Sequence, residues 1–125
     1  MLIDIDLNDG APIYEQIASG VRAALRSGRL GEGDRLPAGR ELAAALGVNL
    51  ETVQRAYRLL AEEGLVTSRV GRGTRVADGI DTDQIDLRQH IIDLVARANA
   101  VGVSVRELAA MIRSMPDPNP DAANR

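Results

Sequence analysis

Arginine side chains are concentrated between Gln54 and Val76 of this 125-residue chain. They are Arg55, Arg58, Arg69, Arg72 and Arg75. Only two glutamates lie among these five arginines, so the segment has a local charge of +3 while the whole chain has −3. Guanidinium groups bind phosphates and guanine edges with two parallel hydrogen bonds, and the segment is therefore suited to nucleic acid. All basic residues are arginines, which a GC-rich coding bias would also produce.

A second group of candidate DNA contacts follows Gly47. Its members are Asn49, Leu50, Glu51, Thr52 and Gln54. Glutamine pairs with adenine through two hydrogen bonds, whereas leucine offers a base no hydrogen bond and phosphate repels glutamate. In the first turn of a helix, however, the helix dipole favours Glu51, which can accept from a cytosine amino group, and Leu50 can touch a thymine methyl. The group predicts either an altered base preference or a surface that no longer reads DNA.

Two short helices joined by a tight turn must position these side chains. Apolar spacing predicts helices at about 39–46 and 50–63, with Gly47 in the turn and Gly64 as the left-handed cap of the second helix. The inner seam consists of Leu42, Leu46, Val48, Val53 and Ala56. This is the helix-turn-helix arrangement, whose second helix enters the major groove, although short antiparallel helix pairs are common in other proteins too.

A β-hairpin is predicted after the second helix, because the apolar period changes to two in LVTSRV and TRV. Gly71 and Gly73 permit positive φ at its tip, and Arg69, Arg72 and Thr74 lie beside them. Such a hairpin next to a helix-turn-helix is a wing, whose arginines reach phosphate or a narrow minor groove. A nucleotide-binding loop is excluded, since no third glycine follows in register and no helix begins here. A solvated hairpin with incidental arginines remains the alternative.

The rest of the N-terminal region is expected to support these elements. Residues 1–10 alternate apolar and acidic side chains, which predicts a short strand or an arm. Apolar residues at helical spacing predict a helix from about 11 to 27 that ends near Gly28. The loop that follows, GRLGEGDRLP, has room for one short extended piece.

The C-terminal part is predicted to be a helical hairpin. One helix begins near Thr82, and Ser104 with Glu107 forms a capping box that opens another helix to about Met115. The first helix carries two apolar stripes on different faces, and one chain can bury only one of them, so dimerisation is favoured. The residues expected in the dimer interface are Leu87, Ile91, Leu94, Val95, Ala98, Leu108 and Ile112. The alternative is that this helix packs wholly on its own N-terminal domain.

Composition excludes several function classes. Without cysteine there is no disulfide, thiol nucleophile or usual zinc module, and the single histidine, His90, lies beside apolar residues in a helix. No catalytic triad or metal-ligand cluster is visible, so we expect no enzyme, no cofactor and no bound metal. No apolar run is long enough to span a bilayer and no signal peptide is present, which predicts a soluble cytoplasmic protein without a membrane partner.

The motifs LPAGRELAAALGV, TVQRAY, LLAEEGLV and RVGRGTRV, preceded by PIYEQIASGVRAAL, together resemble the winged-helix domain of the GntR family of bacterial transcriptional regulators. The resemblance covers about 65 of the 125 residues, and the combination of motifs is specific. Only about 48 residues follow, so the chain is similar to the short YtrA-like subfamily. The resemblance implies a mainly α fold with a small β-hairpin: an N-terminal winged helix-turn-helix and a C-terminal two-helix dimerisation hairpin.

The resemblance also implies roles for individual residues. Arg40 matches a family arginine that holds the DNA backbone. Thr52 and the wing tip from Gly71 to Gly73 match the family as well. Gln54 stands where arginine is frequent, and it can still pair with adenine.

Two positions depart from the family pattern. Ala38 replaces a capping Ser or Thr, which should cost about 1 kcal/mol of local stability. Leu50 replaces an arginine that is expected to read a base. The departure at Leu50 bears on the operator sequence rather than on DNA binding itself.

We therefore expect a DNA-binding domain over residues 1–77, a dimerisation element over 78–115 and a disordered tail over 116–125. The predicted function is that of a homodimeric repressor that binds a palindromic operator in double-stranded DNA. A small-molecule effector is a further partner for which the sequence identifies no residue. The alternative function is a winged-helix protein-interaction module that has lost specific DNA binding.

Overall fold

The computed structural model describes Ile5 and residues 10–119. Its elements are α1 (Ile13–Arg26), α2 (Gly39–Leu46), α3 (Leu50–Glu62), β1 (Val66–Arg69), β2 (Gly73–Val76), α4 (Thr82–Ala100) and α5 (Val105–Ser114). This confirms the mainly α fold with one β-hairpin. The strand or arm predicted for residues 1–10 lies outside the described residues except at Ile5 and Gly10, and so does the predicted tail beyond residue 119.

The described chain divides into two compact units, with the boundary between Asp86 and Leu87. The helix α4 begins in the first unit, and its residue Ile85 is buried in the core of that unit. The domain limits predicted above, with a change after residue 77, stay a prediction.

The core of the first unit forms where α1 packs against α3. Helical spacing places Ile17, Val21 and Leu25 on one face of α1, and all three are buried. They join one apolar cluster with Val53 and Leu60 of α3. Full burial of each such side chain contributes about 1.5–3 kcal/mol, so this contact fixes α3 firmly within the unit.

The turn between α2 and α3 depends on one glycine. Gly47 adopts φ 70°, a left-handed conformation that residues with a Cβ rarely adopt. The Val48 amide then donates to the Ala43 carbonyl at 3.0 Å, which ends α2. Two residues later the Asn49 side chain accepts from the Thr52 amide at 2.9 Å and caps α3. The predicted helix-turn-helix is confirmed, with the limits of both helices within one residue of those expected.

The wing is a two-stranded sheet with a short extended segment beside it. The strands β1 and β2 form an antiparallel hairpin, in which Arg69 and Gly73 are the last pair before the tip. A third extended segment, residues 34–36, joins β2 through backbone hydrogen bonds of 2.8 Å, and Arg35 forms a bridge with Arg75. Because directly opposed residues point to the same side of a sheet, these two arginines share one face of the wing.

A buried ion pair joins α1 to the end of α3. The Arg22 guanidinium donates from Nε and Nη2 to the Glu63 carboxylate, at 2.8 and 2.6 Å. The Arg22 side chain is 1% exposed and that of Glu63 is 5% exposed. Two parallel charge-assisted hydrogen bonds are a strong geometry, and the pair therefore anchors the C-terminal end of α3 to α1.

The second unit contains the remainder of α4 and all of α5. The Ser104 side chain accepts from the Glu107 amide at 3.1 Å, which gives α5 the N-terminal cap expected from the sequence. Ala98 is buried inside this unit. In the part of the chain that the structure describes, no helix combines the length and apolar character needed to cross a membrane.

Candidate nucleic-acid interface

Three elements of the first unit surround an open concavity of about 690 Å³. The start of α2, one face of α3 and the inner face of the wing form its walls. Its lining residues are Ala38, Gly39, Arg40, Leu50, Gln54, Tyr57, Arg58, Ala61, Ser68 and Thr74. The structure therefore brings together five of the DNA contacts predicted from the sequence, namely Arg40, Leu50, Gln54, Arg58 and Thr74.

Leu50, Gln54 and Arg58 follow one another at four-residue spacing and form a row along α3. Gln54 and Arg58 are exposed, and Leu50 is half-buried. Arg58 Nη2 donates to Glu51 Oε1 at 3.3 Å, but both side chains are more than half exposed, so this ion pair is weak. Arg58 can exchange it for a phosphate or a base. The row thus offers one apolar group, one amide and one guanidinium to a partner.

The remaining predicted contacts on α3 do not line the concavity. The Arg55 guanidinium carbon lies 3.9 Å from the centroid of the Tyr14 ring, so Arg55 stacks on α1. The Asn49 Oδ1 accepts from both the amide and the hydroxyl of Thr52, at 2.9 and 3.1 Å. In this structure Asn49 and Thr52 therefore stabilise the start of α3, and Arg55 connects α3 to α1.

The first turn of α2 presents Arg40 at the edge of the concavity. Its N-cap is Ala38, which forms no capping hydrogen bond through its side chain, as the alanine at this position predicts. An exposed cation beside the amide groups of a helix start favours a phosphate oxygen.

Tyr57 ties α3 to the chain that precedes α2. Its hydroxyl donates to the Pro37 carbonyl at 2.7 Å. Burial raises the pKa of Tyr57 to about 12, and the charge of Glu41 adds to the rise. The hydroxyl therefore keeps its proton throughout the neutral range and holds the start of α2 beside α3. Four-residue spacing from Val53 places Tyr57 on the inner face of α3, but no local pattern in the sequence shows which carbonyl its hydroxyl meets.

The face of the wing that points away from the concavity is basic. Arg69, Arg72 and Arg75 line a groove of about 330 Å³ there. The Arg35 guanidinium crosses the same sheet over Gly73, with Nε 3.2 Å from where a Cβ would stand on that glycine. Within the described residues, the salt bridges that form involve none of these four arginines. Arg75 Nη1 donates to the Gly33 carbonyl at 3.2 Å, and the positive charges of all four arginines remain without a carboxylate partner among these salt bridges.

Arg35 is a candidate contact that the sequence analysis did not identify. It stands in a glycine-containing loop 34 residues before Arg69, so no spacing pattern connects the two. The short extended piece predicted in that loop was the indication that Arg35 could lie beside the hairpin. A strand placed beside the hairpin brings every second side chain to the arginine-bearing face.

The residues predicted for dimerisation all belong to the second unit, and they differ in exposure. Val95 and Leu108 are half-buried, and Ala98 is buried with 8% exposure, so Ala98 supports packing within the unit. The other four present apolar surface: Leu87, Ile91, Leu94 and Ile112 are 59, 51, 42 and 55% exposed.

A helix-turn-helix, a concavity along its second helix that holds two arginines and a glutamine, and an arginine-bearing wing define a winged-helix DNA-binding protein. The model of the GntR family, described as bacterial regulatory proteins, matches residues 13–76. The chain belongs to this family, whose members are transcriptional regulators and not enzymes. The resemblance seen in the sequence motifs is therefore confirmed.

Two relatives match most of the chain. The HTH-type transcriptional repressor YtrA of Bacillus subtilis is 31% identical over 119 residues, which cover 91% of this chain and 92% of the relative. The solved structure of YtrA from Sulfolobus acidocaldarius, a GntR-family transcription factor, has a TM-score of 0.62 and 37% identity over 80% of this chain and 99% of that chain. These matches confirm the similarity to short YtrA-like regulators.

Another similar solved structure contains DNA. The DNA-binding domain of AraR in complex with operator ORX1 has a TM-score of 0.53 and 28% identity, over 61% of this chain and 93% of that chain. A domain of this fold thus binds operator DNA in AraR.

Proposed function

We propose that this regulator acts in the cytoplasm as a homodimeric repressor of a palindromic operator, with α3 in the major groove and the wing against the neighbouring backbone and minor groove. The observation that carries the proposal is the concavity along α3, where Leu50 and Gln54 lie together with Arg40 of α2 and Arg58 of α3. The relative from Bacillus subtilis is a repressor, which supports the direction of regulation.

Base reading is assigned to the row on α3. Gln54 is exposed at the centre of the row, and its amide can donate to N7 and accept from N6 of adenine. It can also form a single hydrogen bond with the edge of another base. Arg58 lies one turn further along and reaches a base or a phosphate. On the opposite wall the hydroxyls of Ser68 and Thr74 are 2.7 Å apart and present a small polar surface to the same partner.

Backbone affinity is assigned to the arginines that flank the row. Arg40 lies at the start of α2 and Arg72 at the tip of the wing. Each phosphate that such a cation neutralises releases counterions, and the affinity then falls with added salt. The net charge of −3 does not oppose this, because the segment from Gln54 to Val76 has a local charge of +3, whereas seven acids accompany five arginines in residues 79–125.

Dimerisation is assigned to the second unit. Leu87, Ile91 and Leu94 recur at helical spacing on α4 and remain substantially exposed in the single chain. Water-exposed apolar side chains in a row are a typical protein contact surface. A two-fold dimer would present two α3 helices to the two halves of a palindrome.

The proposal is tested by selecting preferred sequences from a random DNA library with the purified full chain, followed by titration of the selected site at several salt concentrations. We expect one palindromic sequence and an affinity that falls steeply with salt. The Arg40→Ala, Arg72→Ala double variant should lose about two units for each half-site from the slope of log affinity against log salt, or about four units on the full palindrome.

The matched control is Arg106→Ala, Arg113→Ala, which removes the same charge from α5 and should leave the slope unchanged. Absence of DNA retention together with salt-independent behaviour would overturn the proposal and favour a protein-interaction module. That alternative rests on Leu50 and Glu51 at the start of α3.

A further inference from the structure

Leu50 is the apolar member of the row on α3, and its position depends on a residue of α2. Its Cδ1 lies 3.0 Å from the point where a Cβ would stand on Gly39. Carbon atoms in favourable contact are about 3.5–4.0 Å apart, so a Cβ at position 39 would push the end of the Leu50 side chain away by a few tenths of an ångström. Gly39 has an ordinary helical backbone conformation at the start of α2, and the close approach is therefore what a glycine permits here.

This contact places the leucine on the surface assigned to base reading. Leu50 is half-buried because one side of it rests on α2, and the remainder lines the concavity beside Gln54. An apolar group next to an amide matches one base pair in particular. In the major groove adenine offers N6 and N7 to an amide, and thymine offers a C5 methyl group, the one apolar group on any base edge there.

Resting on the function proposed above, we propose that Leu50, held in place by Gly39, selects a thymine in each half-site through its C5 methyl group. Arginine at this position would seek a hydrogen-bonding base edge, whereas leucine gains only from apolar contact. The first turn of α3 therefore specifies a methyl group rather than a guanine. Gln54 is placed to read an adenine in the same or the adjacent base pair.

The test uses the full chain and the operator that the random-library selection returns. Each thymine is replaced in turn by deoxyuridine, which removes the methyl group and leaves every hydrogen-bonding group unchanged. For the wild-type protein, we expect one thymine position, the same in both half-sites, to be sensitive to this replacement. Deoxyuridine at that position should weaken binding about fourfold per half-site, as the loss of one buried methyl predicts. Substitution at the other thymines should have little effect.

Three variants separate base selection from a structural role. Leu50→Ala should bind thymine and deoxyuridine operators equally. Gly39→Ala, which favours helix formation and should fold, should reduce the difference because its Cβ displaces Leu50. Val101→Ala, an apolar truncation at an exposed position of the second unit, should keep the full difference.

If Leu50 only supports the fold, Leu50→Ala will lower the affinity for the thymine and the deoxyuridine operators by the same factor. That result would overturn the inference. A selected half-site without a fixed thymine, or a wild-type protein indifferent to deoxyuridine, would overturn it while leaving the proposed function intact. A selection that returns no preferred sequence would remove the proposed function and this inference together.

Discussion

Tyr57 and the Arg22–Glu63 ion pair place polar atoms in the interior of the first unit, where each needs a partner. Both contacts act on α3: the tyrosine ties it to the chain before α2, and the ion pair ties its C-terminal end to α1. Burial of an unpaired charge or hydroxyl would be costly, so the two contacts restrict how α3 can be oriented. The orientation of α3 in turn determines where the row of Leu50, Gln54 and Arg58 points.

The Tyr57→Phe variant should show what the hydroxyl contributes. We expect the free energy of unfolding at neutral pH to fall by about 1 kcal/mol, because one hydrogen bond to the Pro37 carbonyl is lost. The pKa of Tyr57 is raised to about 12 in the folded chain, above about 10 for an unfolded tyrosine. Its contribution to stability is therefore complete below pH 10 and is lost as the pH rises toward 12.

Urea unfolding at pH 7 and at pH 11 measures both effects. Between these pH values the wild-type protein should lose stability, and Tyr57→Phe should lose less. The matched control is Tyr14→Phe, which keeps an aromatic ring beneath Arg55 and should retain the alkaline loss. Equal alkaline losses in Tyr57→Phe and the wild-type protein would contradict the assignment.

At the level of elements, the wing is assembled from two distant parts of the sequence. The hairpin of β1 and β2 is local, but residues 34–36 complete the sheet and add Arg35 to its basic face. Arg35, Arg69 and Arg75 then lie on one side of the sheet, while Ser68 and Thr74 lie on the side that faces the concavity. The wing can thus contact a base edge with one face and phosphate with the other.

Arg35→Ala should reveal a phosphate contact on this face. We expect weaker binding to all DNA sequences and a slope of log affinity against log salt that is smaller by about 0.9 for each half-site that the duplex contains. Fluorescence anisotropy with a labelled duplex at four salt concentrations gives the slope. Arg29→Ala, in the same loop but not on the wing sheet, serves as the control. An unchanged slope in Arg35→Ala would show that this face of the wing does not meet DNA.

At the level of the whole molecule, the two compact units have different surfaces. The first carries the concavity and the basic wing, and the second carries exposed apolar side chains on α4 and α5. A regulator that reads a palindrome needs both, because one copy of α3 contacts only one half-site. The proposed dimer would therefore read two half-sites with two copies of the same residues.

Ile91→Asp should separate the chains. A carboxylate in an apolar interface is poorly solvated, and we expect the dimer dissociation constant to rise by at least about 100-fold. Sedimentation equilibrium measures it, and the same sample should bind a single half-site as well as before but bind the full operator more weakly. Asn99→Asp introduces the same charge on an exposed part of α4 and should leave the dimer intact. A wild-type protein that is monomeric at micromolar concentration would contradict the proposal.

The helix-turn-helix and the hairpin were predictable because their determinants are local. Gly47 permits the turn, Asn49 caps α3, and alternation in LVTSRV defines a strand, all within a few residues of where they act. The same holds for Ser104 at the start of α5. The sequence by itself therefore determined the elements, the family and half of the residues that line the concavity.

Contacts between distant residues were decided only by the tertiary structure. The partner of Arg22 is Glu63, 41 positions away, and helical periodicity alone would have predicted an exposed arginine. The same reason applies to Arg35 beside Arg75 and to Leu50 against Gly39. Chain periodicity specifies which face of an element is apolar, but it does not specify which atoms of another element meet it, because packing depends on shape and distance across the whole unit.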